Sequence, residues 1–225
     1  MSPWVPRVAL GLGVVGLIAA VVTIAVGEGG PQPQDVGGVN DIQRLFGGIE
    51  QDGAYLGPDD AEVTVTVFND LQCTTCADFE FAVVDPLVDE YARTDDVRFE
   101  LRHFAISGHD TTRAAYAATA AGEQGRQWQY ADLFFRNQDL AEERGVTDEL
   151  LRELAESVPE LEVEQWEEDL DSAEVADRVE ADTRLGAELE LPAEPAVIVG
   201  GPAGEERQVE SPSLADVDAA IAAVR

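Results

Sequence analysis

The chain contains no lysine. Its 14 basic residues are all arginine, set against 46 acidic ones, for a formal net charge of -32. A surface so poor in cations repels phosphate backbones and anionic lipid headgroups, which excludes nucleic acid as a ligand. The acids are scattered rather than gathered into a tail, so they read as a solvated shell, suited to high salt where self-repulsion is screened. Cysteine is nearly absent too: there are two, at 73 and 76, and only two histidines, at 103 and 109. With no cysteine directly after the N-terminal apolar run, a lipoprotein anchor is excluded. Internal repeats are absent, and no strand pattern occurs between about 111 and 189.

What is present begins with residues 8–26, VALGLGVVGLIAAVVTIAV, an uncharged run of 19 residues preceded by Arg7. It is long enough to span a bilayer and longer than the usual signal-peptide core. The expectation is a single N-terminal transmembrane helix over 1–27, with the N-terminus cytoplasmic and the remainder outside. The alternative is a signal cleaved near Ala25-Val26-Gly27, giving a secreted protein. Glycine, proline and glutamine dominate the next stretch, and 28–49 reads as a flexible tether. Residues 50–225 then form one domain.

Within that domain, 63–68 (VTVTVF) and 97–106 (VRFELRHFAI) carry strand patterns and belong to one sheet. Between them Phe79, Val83, Leu87 and Tyr91 recur every fourth residue, predicting an amphipathic helix that starts at the cysteines and bends near Pro86. Alanine-rich and acidic helical stretches fill about 108–189. A short strand pair at 195–201 and 207–210, joined by GPAG, and a capped final helix complete the domain. The fold class is α/β with an all-helical insertion.

All the cysteine chemistry lies in Cys73-Thr74-Thr75-Cys76. A disulfide closing so short a loop confers little stability. A zinc site would need His103 and His109, whose spacing does not match ordinary fingers. A redox dithiol between strand and helix fits best: the helix N-terminus stabilises a thiolate at Cys73, and Cys76, one turn inward, resolves the mixed disulfide. A module that uses the pair to hold a metal or a protein partner without turnover is the alternative of another class.

The stretches LGPDDAEVTVTVFNDLQCTTCADFE, FELRHFAI, AAGEQGRQWQYADLFFRNQ and RLGAELELPAEPAVIVGG together resemble the DsbA-like thioredoxin-fold family, in the right order over about 50–225. The resemblance implies a thioredoxin-like fold and a thiol-disulfide oxidoreductase that donates its disulfide to reduced exported proteins. It further implies that a quinone-coupled membrane oxidase restores the disulfide and that no cofactor or metal is needed. A reductase or isomerase would use the same residues. By the same resemblance Pro195 is the cis-proline facing the dithiol, so Cys73, Cys76 and Pro195 form the catalytic set, with Thr74, Thr75 and Glu194 beside the substrate. Two departures from the family stand out. Thr74 and Thr75 bring no positive charge between the cysteines, and Val67 stands where the family has a proton-transferring glutamate.

Three further groups have ordinary readings: His103 and His109 as proton-transfer aids or packed residues, Trp128, Tyr130, Phe134 and Phe135 as groove or core, and Asp70 as a cap on the cysteine helix.

Overall fold

The computed structural model describes residue 1 and residues 36–94, 96–191, 195–209 and 212–225. The apolar run at 8–26 therefore lies outside the described residues, as does Glu194. Among the described residues no helix is long and apolar enough to cross a membrane.

The first element is unexpected. Helix α1 (Val39–Phe46) lies inside the stretch read as a tether, and it buries Ile42, Leu45 and Phe46. Phe46 meets the ring of Trp128 with centroids 6.4 Å apart. Arg93 donates to the carbonyls of Leu45 at 2.9 Å and Gly47 at 3.0 Å, satisfying the helix's open C-terminal end. Folded structure thus begins more than ten residues before position 50. The signal in the sequence was four apolar residues, Val39, Ile42, Leu45 and Phe46, in eight residues between two glycine pairs, too short a run to separate from linker composition.

A hairpin comes next, β1 (Gln51–Asp52) and β2 (Tyr55–Leu56). The strands expected at 63–68 and 97–106 are β3 (Val63–Asn69) and β4 (Val97–His103), paired in parallel with Val67 opposite Leu101 and Asn69 opposite His103. The second is shorter than its pattern suggested. With β5 (Ala196–Gly200) and β6 (Glu206–Val209) they form one six-stranded sheet, ordered β1-β2-β4-β3-β5-β6. Period-two alternation sends Val63, Val65 and Val67 into the core while Thr64 and Thr66 remain half-buried.

The crossover from β3 to β4 is the helix that begins at the cysteines. It runs as α2 (Thr74–Phe79), one π-helical turn (Glu80–Val84) and α3 (Asp85–Tyr91). Pro86 has no N–H for the carbonyl four residues back, and its ring crowds that carbonyl, so the widened turn sits where the ladder would otherwise break. Phe79, Val83 and Leu87 are buried along the inner face as their spacing predicts.

Six helices separate β4 from β5: α4 (His109–Gly122), α5 (Gln127–Arg136), α6 (Gln138–Arg144), α7 (Asp148–Ser157), α8 (Val163–Leu170) and α9 (Ala173–Glu188). The small side chains Ala114, Ala117, Ala118 and Ala121 of α4 are fully buried and allow close helix approach. Trp166 donates its indole N–H to the Ala117 carbonyl at 2.8 Å and stacks on Tyr130 at 5.9 Å. Trp128, Tyr130, Phe134 and Phe135 are all core residues, so they line no groove. On the opposite face of the sheet, Arg102 of β4 bridges Glu100 and Asp182 of α9 at 2.6 Å each. The last helix, α10 (Leu214–Val224), starts with a capping box between Ser213 and Asp216.

Candidate active site

Strand β3 ends at Asn69, and the next four residues turn the chain into α2. Asp70 makes that turn rigid. Its buried carboxylate accepts from the Gln72 N–H at 2.9 Å, the Ser107 N–H at 3.3 Å and the Thr111 hydroxyl. One side chain therefore joins the cysteine loop, the loop after β4 and the first turn of α4. This differs from the role of helix cap expected for Asp70. The cap is Cys73 itself, in extended conformation, with its Sγ accepting the Cys76 N–H at 3.1 Å.

A second brace comes from the helical insertion. The side-chain amide of Gln138, at the start of α6, donates to the carbonyls of Leu71 at 2.6 Å and Cys73 at 3.2 Å. Nothing local in the sequence marks Gln138 or Thr111 for these roles. Their partners lie 67 and 41 residues away, and only the tertiary fold brings them together.

Cys73 is half-buried and Cys76 fully buried. The Thr75 hydroxyl lies 3.0 Å from Cys73 Sγ. Once Cys73 is ionised that hydroxyl can only donate, so a thiolate there receives two hydrogen bonds, from Thr75 and from the Cys76 N–H. Thr74 and Thr75 are exposed at the mouth of the site.

Pro195 comes to the same end of the sheet. In the antiparallel pairing of β3 with β5, Ala196 stands opposite Phe68, so Pro195 enters β5 beside the end of β3 from which the cysteine loop departs. It is half-buried.

The histidines separate. His109 is exposed in the first turn of α4, its Nδ1 3.5 Å from Asp110. His103 is buried at the end of β4, with Nε2 3.3 Å from the Gln127 amide nitrogen. An amide nitrogen only donates, so Nε2 accepts and Nδ1 carries the proton. Burial holds His103 down at about 4, opposed by the nearby Asp70 carboxylate, and the ring is neutral at neutral pH. Among the described residues no group of three converging ligand atoms includes a cysteine or a histidine.

Comparison with known proteins shows the family and the fold. A family model described as Thioredoxin matches residues 50–222. The "Probable disulfide bond formation protein D" of Bacillus anthracis is 32% identical over 149 residues, covering 65% of this chain and 69% of that protein. The "Disulfide bond formation protein D" of Bacillus subtilis (strain 168) is 30% identical over 146 residues, covering 64% and 66%. Among solved structures, oxidised BdbD from Bacillus subtilis superposes with a TM-score of 0.66 at 25% identity, over 78% of this chain and 96% of that one. The alpha-DsbA1 of Wolbachia pipientis gives 0.64 at 16% identity, over 81% and 94%, a likeness of fold alone.

Proposed function

The chain belongs to the DsbA-like branch of the thioredoxin family and is a thiol-disulfide oxidoreductase, and on that premise we propose that it works outside the cytoplasm as a disulfide donor to exported proteins. The observation that carries this reading is the asymmetry of the pair, a half-buried Cys73 capping its helix and a fully buried Cys76 behind it.

In the oxidised protein a substrate thiolate attacks Cys73 Sγ. The Cys73 to Cys76 bond breaks, Cys76 leaves as a thiolate that takes up a proton, and a mixed disulfide forms. A second substrate thiolate then attacks the substrate sulfur of that bond and releases the Cys73 thiolate. The substrate is oxidised by two electrons and the dithiol reduced by two. Pro195 contacts the incoming chain at the end of the sheet that carries the exposed Thr74 and Thr75, and Glu194, next to Pro195 in sequence, contributes to substrate binding. A quinone-coupled membrane oxidase returns the dithiol to the disulfide.

The donor direction is supported by the two hydrogen bonds offered to the Cys73 sulfur. They stabilise the reduced form, and a stabilised reduced form makes the disulfide a better oxidant. Incubating the oxidised protein with a reduced, unfolded secreted protein is expected to remove two substrate thiols per enzyme. The couple should equilibrate at a potential above the value of about -270 mV typical of thioredoxin. A potential at or below that value would reverse the direction and make the protein a reductase.

The run at 8–26 anchors this activity to the membrane. Full-length protein should stay in the membrane fraction through high-salt and carbonate washes, and a soluble form beginning near Glu28 would mean that the run is a cleaved signal instead.

A further inference from the structure

Two neighbouring side chains of the helical insertion reach in different directions. Helices α5 and α6 meet at a single residue, Asn137, which ends one and starts the other with φ -124° and ψ 25°. Its buried side chain pairs reciprocally with the backbone of Gly37, accepting the N–H at Oδ1 at 2.8 Å and donating from Nδ2 to the carbonyl at 3.0 Å. Gln138, the next residue, donates to the carbonyls of Leu71 and Cys73. From this corner we propose that Asn137 and Gln138 are positioning residues, through which the segment entering the domain holds the Cys73 turn in its reactive geometry. The proposal rests on Cys73 being the reacting sulfur and not on the direction of exchange.

The Asn137 end has no freedom. Nδ2 also donates to the Leu133 carbonyl at 2.7 Å, so the oxygen and the nitrogen of the amide are both engaged. Gly37 offers it one donor and one acceptor, which fixes the way round that the amide sits. Gly38 then brings the backbone directly onto the corner, because at φ +87° a Cβ there would run into the Arg136 side chain. Helix α1 follows at once, and its buried Ile42, Leu45 and Phe46 keep the entry in place.

The Gln138 end acts on the sulfur through the loop. Carbonyls only accept, so the Gln138 amide must present its nitrogen to both of them. Leu71 is buried, and among the described residues no other donor reaches its carbonyl, which makes this hydrogen bond costly to lose. The Cys73 carbonyl also accepts from the N–H groups of Cys76 at 3.1 Å and Ala77 at 3.2 Å, so Gln138 grips the first turn of α2 at its starting carbonyl. That turn supplies the donors for a Cys73 thiolate, the Cys76 N–H and the Thr75 hydroxyl. Gln138 fixes where they point. Donors held in place cost no reorganisation when the sulfur ionises, and a loosened turn loses that advantage. Neither Asn137 nor Gln138 carries a charge, so uncharged replacements leave the net charge around the sulfur unchanged.

The test is the pH profile of Cys73 alkylation by iodoacetamide in the reduced full-length protein, followed at each cysteine by mass spectrometry, with its midpoint reporting the ionisation of Cys73. Gln138→Met, which keeps the length of the side chain and removes its donors, is expected to lower the acidity of Cys73 by about fivefold, whereas a space-filling role would leave it unchanged. Asn137→Ala should lower it by about threefold, and by nothing further when added to Gln138→Met, because its effect passes through Gln138. Should Asn137→Ala not fold, Gly38→Ala, which pushes the entering segment off the corner, takes its place in both backgrounds. An unchanged profile in Gln138→Met, or an effect of the second variant that is the same with and without Gln138, would overturn the proposal. Preferential alkylation of Cys76 in the wild type would overturn the assignment of the reacting sulfur and the proposal with it.

Discussion

Cys73→Ser is expected to lower disulfide transfer by about a thousandfold or more, because the group that attacks and is attacked is gone. Cys76→Ser should fail differently. Its Cys73 sulfur, half-buried and within reach of a substrate, still forms mixed disulfides. No second thiol in the chain can displace the substrate, since the sequence has only two cysteines. Covalent adducts of Cys76→Ser should therefore accumulate on non-reducing gels and vanish with reductant, while Cys73→Ser gives none. Equal trapping by the two variants would show that burial does not set the roles of the two sulfurs. The helix cap sharpens the contrast: Cys73→Ser keeps an oxygen that can accept the Cys76 N–H, so α2 should survive and the loss can be read as chemistry.

The second large effect is on stability. A buried, neutral His103 at about 4 faces an unfolded-state value of about 6.5, so as pH falls through that window the unfolded chain takes up a proton that the native state refuses. The stabilisation is complete above about pH 6.5 and is lost progressively toward about pH 4. Asp132 acts in the opposite sense, because its raised carboxyl binds a proton in the native state before the unfolded state does. Comparing His103→Gln with wild type cancels that common contribution. In urea unfolding, the stability of His103→Gln relative to wild type should rise by about 2–3 kcal/mol between pH 8 and pH 4.5. A relative stability that does not change with pH would mean that His103 titrates in the fold as it does in the unfolded chain.

How far the sequence could be read depended on how far each signal reached along the chain. The parallel pair β3 and β4 was visible as branched residues alternating with polar ones, and the cysteine helix as a four-residue repeat through Phe79, Val83 and Leu87. Those patterns are local and large. Helix α1 was hidden because its four apolar residues, though at helical spacing, fill only eight residues between glycine pairs, and its buried Phe46 meets Trp128, far away in sequence. The cysteine motif was legible from two residues, but not the frame that holds it. Asp70 read as a local cap because short-range hydrogen bonding is what an Asp beside a helix start suggests. Its actual partners include Ser107 and Thr111, which only the sheet crossover brings near. Likewise the pairing of Asn137 with Gly37 needs α1 to pack on α5, and nothing in one helix's pattern announces a backbone amide arriving from another segment.

The frame around the cysteine loop has an evolutionary consequence. Asp70 and Gln138 hold the loop through backbone groups of residues 71, 72 and 73, and Thr74 and Thr75 stay exposed, with the Thr75 hydroxyl reaching the Cys73 sulfur. The part of the molecule that sets the chemistry of the sulfur is thus separate from the part that sets the shape of the loop. Selection can exchange the two residues between the cysteines, and with them the driving force of the couple, without renegotiating the fold. Lineages facing different oxidants can therefore diverge at two positions while the scaffold stays fixed.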